Sequence, residues 1–381
     1  MANETKKISF LKEEGRDFTT VLRERVSQFF LEGQLSSRAN VAMVSKSLFY
    51  LALMGLNYLL LFSGLGGVTG FFLTFILFGF MISIGTMNIA HDAQHGAYMK
   101  GAQGNRIVSL LMDLFGASSF YWRKEHTIDH HTFTNIDHHD ADLGVPYVLR
   151  LCPNAPRRTF HRFQHFYAPI LYCMNLIRWV YYSDTKRIWH IIRLKNKAPG
   201  NPSNTDIFLL LLFKCIHLFL FVAVPIALLP FAWWVVLFGY FTFLATAGIT
   251  LTVIFQLAHI VENVAFPLPN EEGKIDNSFL KHQLATTSNF AVDSWIANFL
   301  FGGLNFQVEH HIFPHVCHMH LRKIAPIVRE TAKEFGLPYH ENPTFFAAVA
   351  SHFKTLKKLG QVEQQCPTLE ERDLEKGLRL Q

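Results

Sequence analysis

Charge is what this chain lacks first. Asp, Glu, Lys and Arg make up 17% of its 381 residues, against about 25% in an ordinary soluble domain. The shortage is local. Residues 47–90 carry no formal charge, and residues 207–257 carry one, on Lys214. Blocks of that kind exclude a soluble surface and fit membrane-crossing helices. Cysteine is scarce too. Cys152, Cys173, Cys215, Cys317 and Cys366 are scattered and form no CxxC pair, which excludes a disulfide framework and a zinc ribbon and leaves reduced structural thiols. The first 46 residues show no early apolar core with a cleavage site, so no signal peptide is expected. There is no internal repeat, low-complexity tract or heptad pattern.

Half of the chain is hydrophobic, and 37 residues are phenylalanine. The first apolar block divides at "SGLGGVTG" (63–70), the second between Pro225 and Pro230. Each half is about 20 residues, enough to span about 30 Å of hydrocarbon. The sequence therefore predicts an all-α integral membrane fold. Four transmembrane helices, about 47–65, 70–90, 207–228 and 231–257, form two hairpins. Lys and Arg populate 1–46, 91–206 and 258–381, while the hairpin turns have none. The positive-inside rule puts both termini and both long segments in the cytoplasm. The net charge of +6 then reflects membrane flanking, and no nucleic-acid partner is expected. Lys214 is expected to snorkel from the start of the third helix. Residues 106–122 read as a short helix at the interface or beneath the cytoplasmic part. The expected layout is an N-terminal segment (1–46), a membrane domain (47–360) and a polar tail (361–381).

Histidine is abundant, with 20 residues gathered mostly in the cytoplasmic segments. "HDAQH" supplies His91 and His95 at i, i+4, on one face of any helix that continues past the second membrane span. "HTIDHH" supplies His126, His130 and His131, with His126 and His130 at the same spacing. "QVEHH" supplies His310 and His311 behind Gln307. His259 stands alone just beyond the fourth span. One such set by itself is more often a hydrogen-bonded interfacial group. Three on one membrane face point to metal. Imidazoles suit Zn, Cu, Fe or Ni, and seven or eight exceed one tetrahedral ion, so two metals are expected. Asp92, Asp129, Asp140 and Glu309 are candidates to orient the ligands. "HRFQH" repeats the spacing with His161 and His165, but its basic, aromatic context reads as an interfacial helix with His and Arg facing head groups. His138, His139, His315, His318 and His320 read as structural or supporting, and His217 as a hydrogen-bonded core residue.

"HDAQH", "HTIDHH" and "QVEHH" together resemble the histidine boxes of the membrane fatty acid desaturase family, over roughly residues 40–360. Gln307 in the last box resembles the front-end branch, which inserts a double bond between an existing one and the carboxyl end. The resemblance implies four membrane helices under a cytoplasmic helical cap that holds a non-haem di-iron site fed by O2 and electrons. It implies His91, His95, His126, His130, His131, His310 and His311 as ligands, with His259 as a further one and Gln307 as a catalytic residue. The sequence has no HPGG haem motif, so electrons are expected from a separate ferredoxin-like or cytochrome b-type protein and its reductase. The implied substrate is a fatty acyl chain on CoA or lipid, held in an apolar tunnel. The implied location is a bacterial inner membrane or the endoplasmic reticulum. Competing readings are a sphingolipid desaturase, an acyl or alkane hydroxylase, and a histidine-rich metal transporter. The last needs polar ligands at mid-membrane depth, which the apolar blocks lack.

Overall fold

Inside lipid no water can satisfy a backbone N–H or C=O, so an apolar block must bond internally and becomes helix. A computed structural model describes residues 8–13, 15–144, 147–194 and 201–362; most of the tail expected at 361–381 lies outside these. Four helices are long and apolar enough to cross a membrane: Val41–Leu60, Gly67–Gln94, Asn204–Leu228 and Trp233–His259. The first starts earlier than position 47, because the Asn40 side chain caps it by accepting from the Met43 N–H. Lys46 lies inside that helix, buried, with Nζ 3.2 Å from His318 Nε2. A charged residue was thus absorbed into the span by a polar partner.

The first hairpin turns through Gly64, Gly66 and Gly67, all left-handed. The third membrane helix widens over Phe219–Ala223, where Pro225 offers no N–H to the carbonyl of Phe221. The second and fourth helices pack closely. A Cβ on Gly79 would sit 2.5 Å from the Phe243 carbonyl oxygen. On its other side the fourth helix takes Gln164–Arg178, and a Cβ on Gly248 would sit 2.8 Å from the Tyr172 oxygen. Many of the phenylalanines, including Phe71, Phe75, Phe78, Phe221 and Phe243, fill the core between these helices.

The rest forms a helical cap at the end where the second and fourth helices finish. Part of the segment before the first membrane helix belongs to it. Helix Phe18–Glu32 buries Phe18, Leu22 and Val26 against Ile324 and Val328 of helix Leu321–Glu334, and Arg25 pairs with Glu334 at 2.8 Å. Strand structure among the described residues is limited to two short parallel pairs, Ser9–Phe10 with Lys274–Ile275 and Ser288–Phe290 with His340–Asn342.

Two expectations are corrected. Lys214 does not snorkel: its Nζ meets buried Asp184 at 2.9 Å and the carbonyls of Gly116 and Val180, because a carboxylate and unpaired carbonyls lie within reach. His161 does not face head groups. It is buried, with Nδ1 accepting from the Arg158 N–H and Nε2 donating to the Tyr147 oxygen. The exposed side of this interfacial segment is instead the apolar row Phe163, Phe166, Ile170 and Met174. His217 is the expected core residue, bridging Leu114 O and Tyr240 OH.

Candidate metal centre

The second membrane helix runs almost unbroken through Asn88 into Ala90–Gln94. His91 and His95 therefore share a face, with ring centroids 4.8 Å apart. "GGLNFQVEHH" answers to the same place. Gly302 and Gly303 are left-handed, and a Cβ on Gly302 would lie 2.5 Å from the Met87 carbonyl oxygen. Only glycine lets this segment press against the end of the second helix. Asn88 then ties the contact by donating to Leu300 O at 2.7 Å. The next helix, Gln307–Ile312, delivers His310 to within 4.5 Å of the His91 ring.

The middle box follows a different geometry from the α-helix expected of it. Residues Arg123–His130 are wound as a π-helix, with the His131 N–H bonded to the His126 carbonyl. In that wide turn i and i+5 align. His126 and His131 meet, Nε2 to Nε2, at 3.2 Å, while His130 stacks on His126 at 5.3 Å and reaches the rings of His259 and His311. The site thus resolves into two groups. His91, His95, His126 and His310 offer nitrogens within 4.8 Å of one another, and His131 Nε2 joins them at 3.1 Å from His310 Nε2. His130, His259 and His311 form the second group by the same measure. His131 and His311 stack at 4.1 Å between the groups. His259 arrives as the last residue of the fourth membrane helix.

The second group is oriented from behind. His130 Nδ1 lies 2.9 Å from Asp140 Oδ1, His311 Nδ1 3.0 Å from Gln283 Oε1, and His259 Nδ1 3.4 Å from Thr286 O. Each of the three leaves its Nε2 buried and without a partner. Both ring nitrogens of His91 and His95 are likewise buried and unpartnered. Such orphans are costly unless something fills the gap. Ligand nitrogens about 2.1 Å from one ion and at right angles lie about 3 Å apart, close to the short nitrogen separations seen here. The residues present fit two imidazole-bound metals.

Burial holds the His95, His126, His131, His310 and His311 imidazoles well below their usual range, so they are neutral and ready to bind metal. His130 differs. Burial opposes its charge, but the Asp140 and Asp142 carboxylates outweigh that and raise it to about 9. Glu309, pushed up to about 7 by burial, holds no imidazole. It accepts from Tyr339 OH and Asn289. Asp92 accepts from the His318 ring at 2.9 Å. Asp129 holds no ligand histidine among the described residues. Gln307 opens the last helix, one turn before His310 and His311, with both amide atoms buried and unpartnered. His315 donates to His95 O, while His138 and His139 lie apart from both groups. Gln283 was missed by sequence reasoning. Thr134 was missed too, and it donates to Gln283 Oε1. A glutamine in a short polar helix carries no local signal of the imidazole it meets.

A cavity of about 400 Å³ reaches His91 and His126. Leu, Met and Trp side chains line much of it, and its phenylalanines are Phe115 and Phe255. Arg178 and Arg187 also line it, the latter paired with Glu125, the neighbour of His126.

Comparison with known proteins agrees with this geometry. The family model described as fatty acid desaturase matches residues 33–343. The chain is 35% identical to an acyl-lipid (8-3)-desaturase of Physcomitrium patens, over 93% of this chain and 74% of that one. It is 33% identical to an sn-1 linoleoyl-lipid 6-desaturase of Arthrospira platensis, over 94% and 96%. It is 34% identical to the enzyme of that name in Synechocystis, over 91% and 96%. Four membrane-length helices, a buried histidine-rich metal site and an apolar cavity opening onto it agree with the match: the chain belongs to the fatty acid desaturase family, integral membrane oxidoreductases acting on fatty acyl chains.

Proposed function

We propose that this chain is a front-end desaturase of acyl lipids, working with two histidine-bound irons, O2 and electrons from a separate donor protein. The observation that carries the reading is the junction of the cavity with the first histidine group, at His91 and His126, beside which the second group lies. The relatives named as acyl-lipid and linoleoyl-lipid desaturases support the lipid carrier and the front-end position. His91, His95, His126, His131 and His310 would hold one iron, and His130, His259 and His311 the other. Iron there would supply the oxidising power that an unactivated CH2–CH2 pair demands. Each turnover removes two hydrogens from the chain, takes two electrons from the donor and two protons from solvent, and reduces O2 to two waters.

The protein's own part is placement and exclusion. Met112, Leu176, Trp179 and Leu251 line the cavity and keep the acyl chain extended and dry beside the site. Asp140 and Gln283 fix two imidazoles from behind, so their Nε2 atoms stay aimed inward. The active site faces the cytoplasm in this reading, since the Lys- and Arg-rich segments lie at the same end of the membrane helices.

The test is expression in a host lacking polyunsaturated lipids, fed candidate acids, with double bonds located by mass spectrometry. A new double bond on the carboxyl side of an existing one, found in membrane lipids, is the expected outcome. A product that retains oxygen would make the enzyme a hydroxylase, and a bond only on the methyl side would remove the front-end assignment.

A further inference from the structure

The cavity wall contains a polar line that the metal chemistry does not use. Asn175, Thr252 and Gln256 all line the cavity. Asn175 donates to Thr252 Oγ1 at 2.9 Å. The threonines around Thr252 behave differently. Thr242, Thr246 and Thr250 each return their hydroxyl hydrogen to the carbonyl four residues earlier. Among the described residues Thr252 makes no such bond, so its O–H remains free to donate. Among the described residues the Gln256 carboxamide makes no side-chain hydrogen bond, and its Nε2 carries two N–H donors. Donors left unused beside apolar residues are costly, which calls for a ligand that accepts from them.

Position says what that ligand is. Gln256 lies three residues before His259 on the same helix, about 4.5 Å along its axis, and Thr252 is about one further turn away. Arg178, also in the cavity lining, lies one turn beyond Asn175 on the neighbouring helix. Gln256 and Thr252 therefore line the cavity within about two turns of His259. An acyl chain has one strong acceptor, its ester carbonyl, and in front-end desaturation that carbonyl lies only a few bonds from the reacting carbons. We propose that Gln256 and the Asn175–Thr252 pair hold the ester carbonyl of the substrate and so set the double-bond position by counting from the carboxyl end. This rests on the front-end reading above.

The test compares products of the wild type with Gln256→Met, Gln256→Glu, Thr252→Val and Thr252→Ser in the same host, with iron measured in each purified protein. Met and Glu keep the length of Gln256 but lose its donors, and Val keeps the shape of Thr252 without the hydroxyl. We expect these three to keep wild-type iron, to lose about tenfold in conversion, the worth of one hydrogen bond of about 1.4 kcal/mol, and to scatter the double bond over neighbouring positions. Thr252→Ser should keep the wild-type isomer. Unchanged isomers and conversion in Gln256→Met and Thr252→Val overturn the proposal. A shift with Met but not Glu also overturns it, since packing rather than donation would then be at work. If the wild type itself places no front-end bond, the reading beneath falls and this inference with it. A front-end wild type with unaltered variants removes this inference alone.

Discussion

Gln307 stands where the desaturases that the boxes resemble outside the front-end branch carry a histidine, and its surroundings are unusual for a glutamine. Both amide atoms are buried and unpartnered, one helical turn before His310. A neutral amide can hold a metal-bound water or steer a neighbouring imidazole, but it donates less to a metal than imidazole does. Gln307→Ala is expected to lose most activity while keeping much of the bound metal. His310→Ala and His311→Ala should lose both, as measured by metal analysis beside product formation. Near-normal turnover of Gln307→Ala would reduce the residue to a local cap. Asp140 makes a complementary case. Its Oδ2 accepts from the Asn135 N–H while Oδ1 meets His130, so it fixes that imidazole without touching substrate. Asp140→Asn should cost roughly 10–100-fold in metal affinity or activity, read by metal retention against a chelator.

At the scale of elements, the site depends on how closely two membrane helices end together. Gly79 allows the second and fourth helices to touch, backbone to backbone. Gly79→Val should destabilise the protein by about 1–3 kcal/mol through overpacking, seen as a lower melting temperature in detergent. Asp113 gives a pH-dependent test in the short helix Ala102–Leu114. Burial raises its carboxyl from 3.8 to about 6, against the opposing Ser119 N–H. A raised carboxyl penalises the folded state progressively as pH climbs from the unfolded value through the folded one, and fully above it. Asp113→Asn should therefore melt higher than the parent at about pH 8, with the gap narrowing toward pH 4. A constant gap across that range would contradict the assignment.

Much of this scale was legible. Charge-free blocks gave the four spans to within a few residues, because desolvation is a cost paid locally along the chain. The histidine spacing at 91 and 95 placed two imidazoles together for the same reason. The middle box was less legible. Nothing in "HTIDHH" announces a π-helix, so the pairing of His126 with His131, rather than His130, came from tertiary packing. Gln283 and Thr134 were illegible because they approach from elements distant in sequence. The cap position of helix Phe18–Glu32 was hidden too, since an amphipathic helix does not name the surface it covers.

For the whole molecule, sidedness and metal content remain as expectations. Leu65 sits in the first hairpin turn with 68% exposure, and Lys354 is exposed on the cap. In a background without reactive native thiols, Leu65→Cys should label only from outside the cytoplasm and Lys354→Cys only from within. The reverse pattern would invert the topology. The central claim is that two histidine groups hold two irons beside an acyl cavity, and counting metal tests it most directly. Protein purified in active form should contain about two irons per chain, matching two sets of imidazoles within ordinary coordination numbers, and chelation should abolish O2-dependent desaturation until iron and a reductant are restored. Zinc alone in the protein, with no O2-dependent product after iron and reductant are added, would contradict the account.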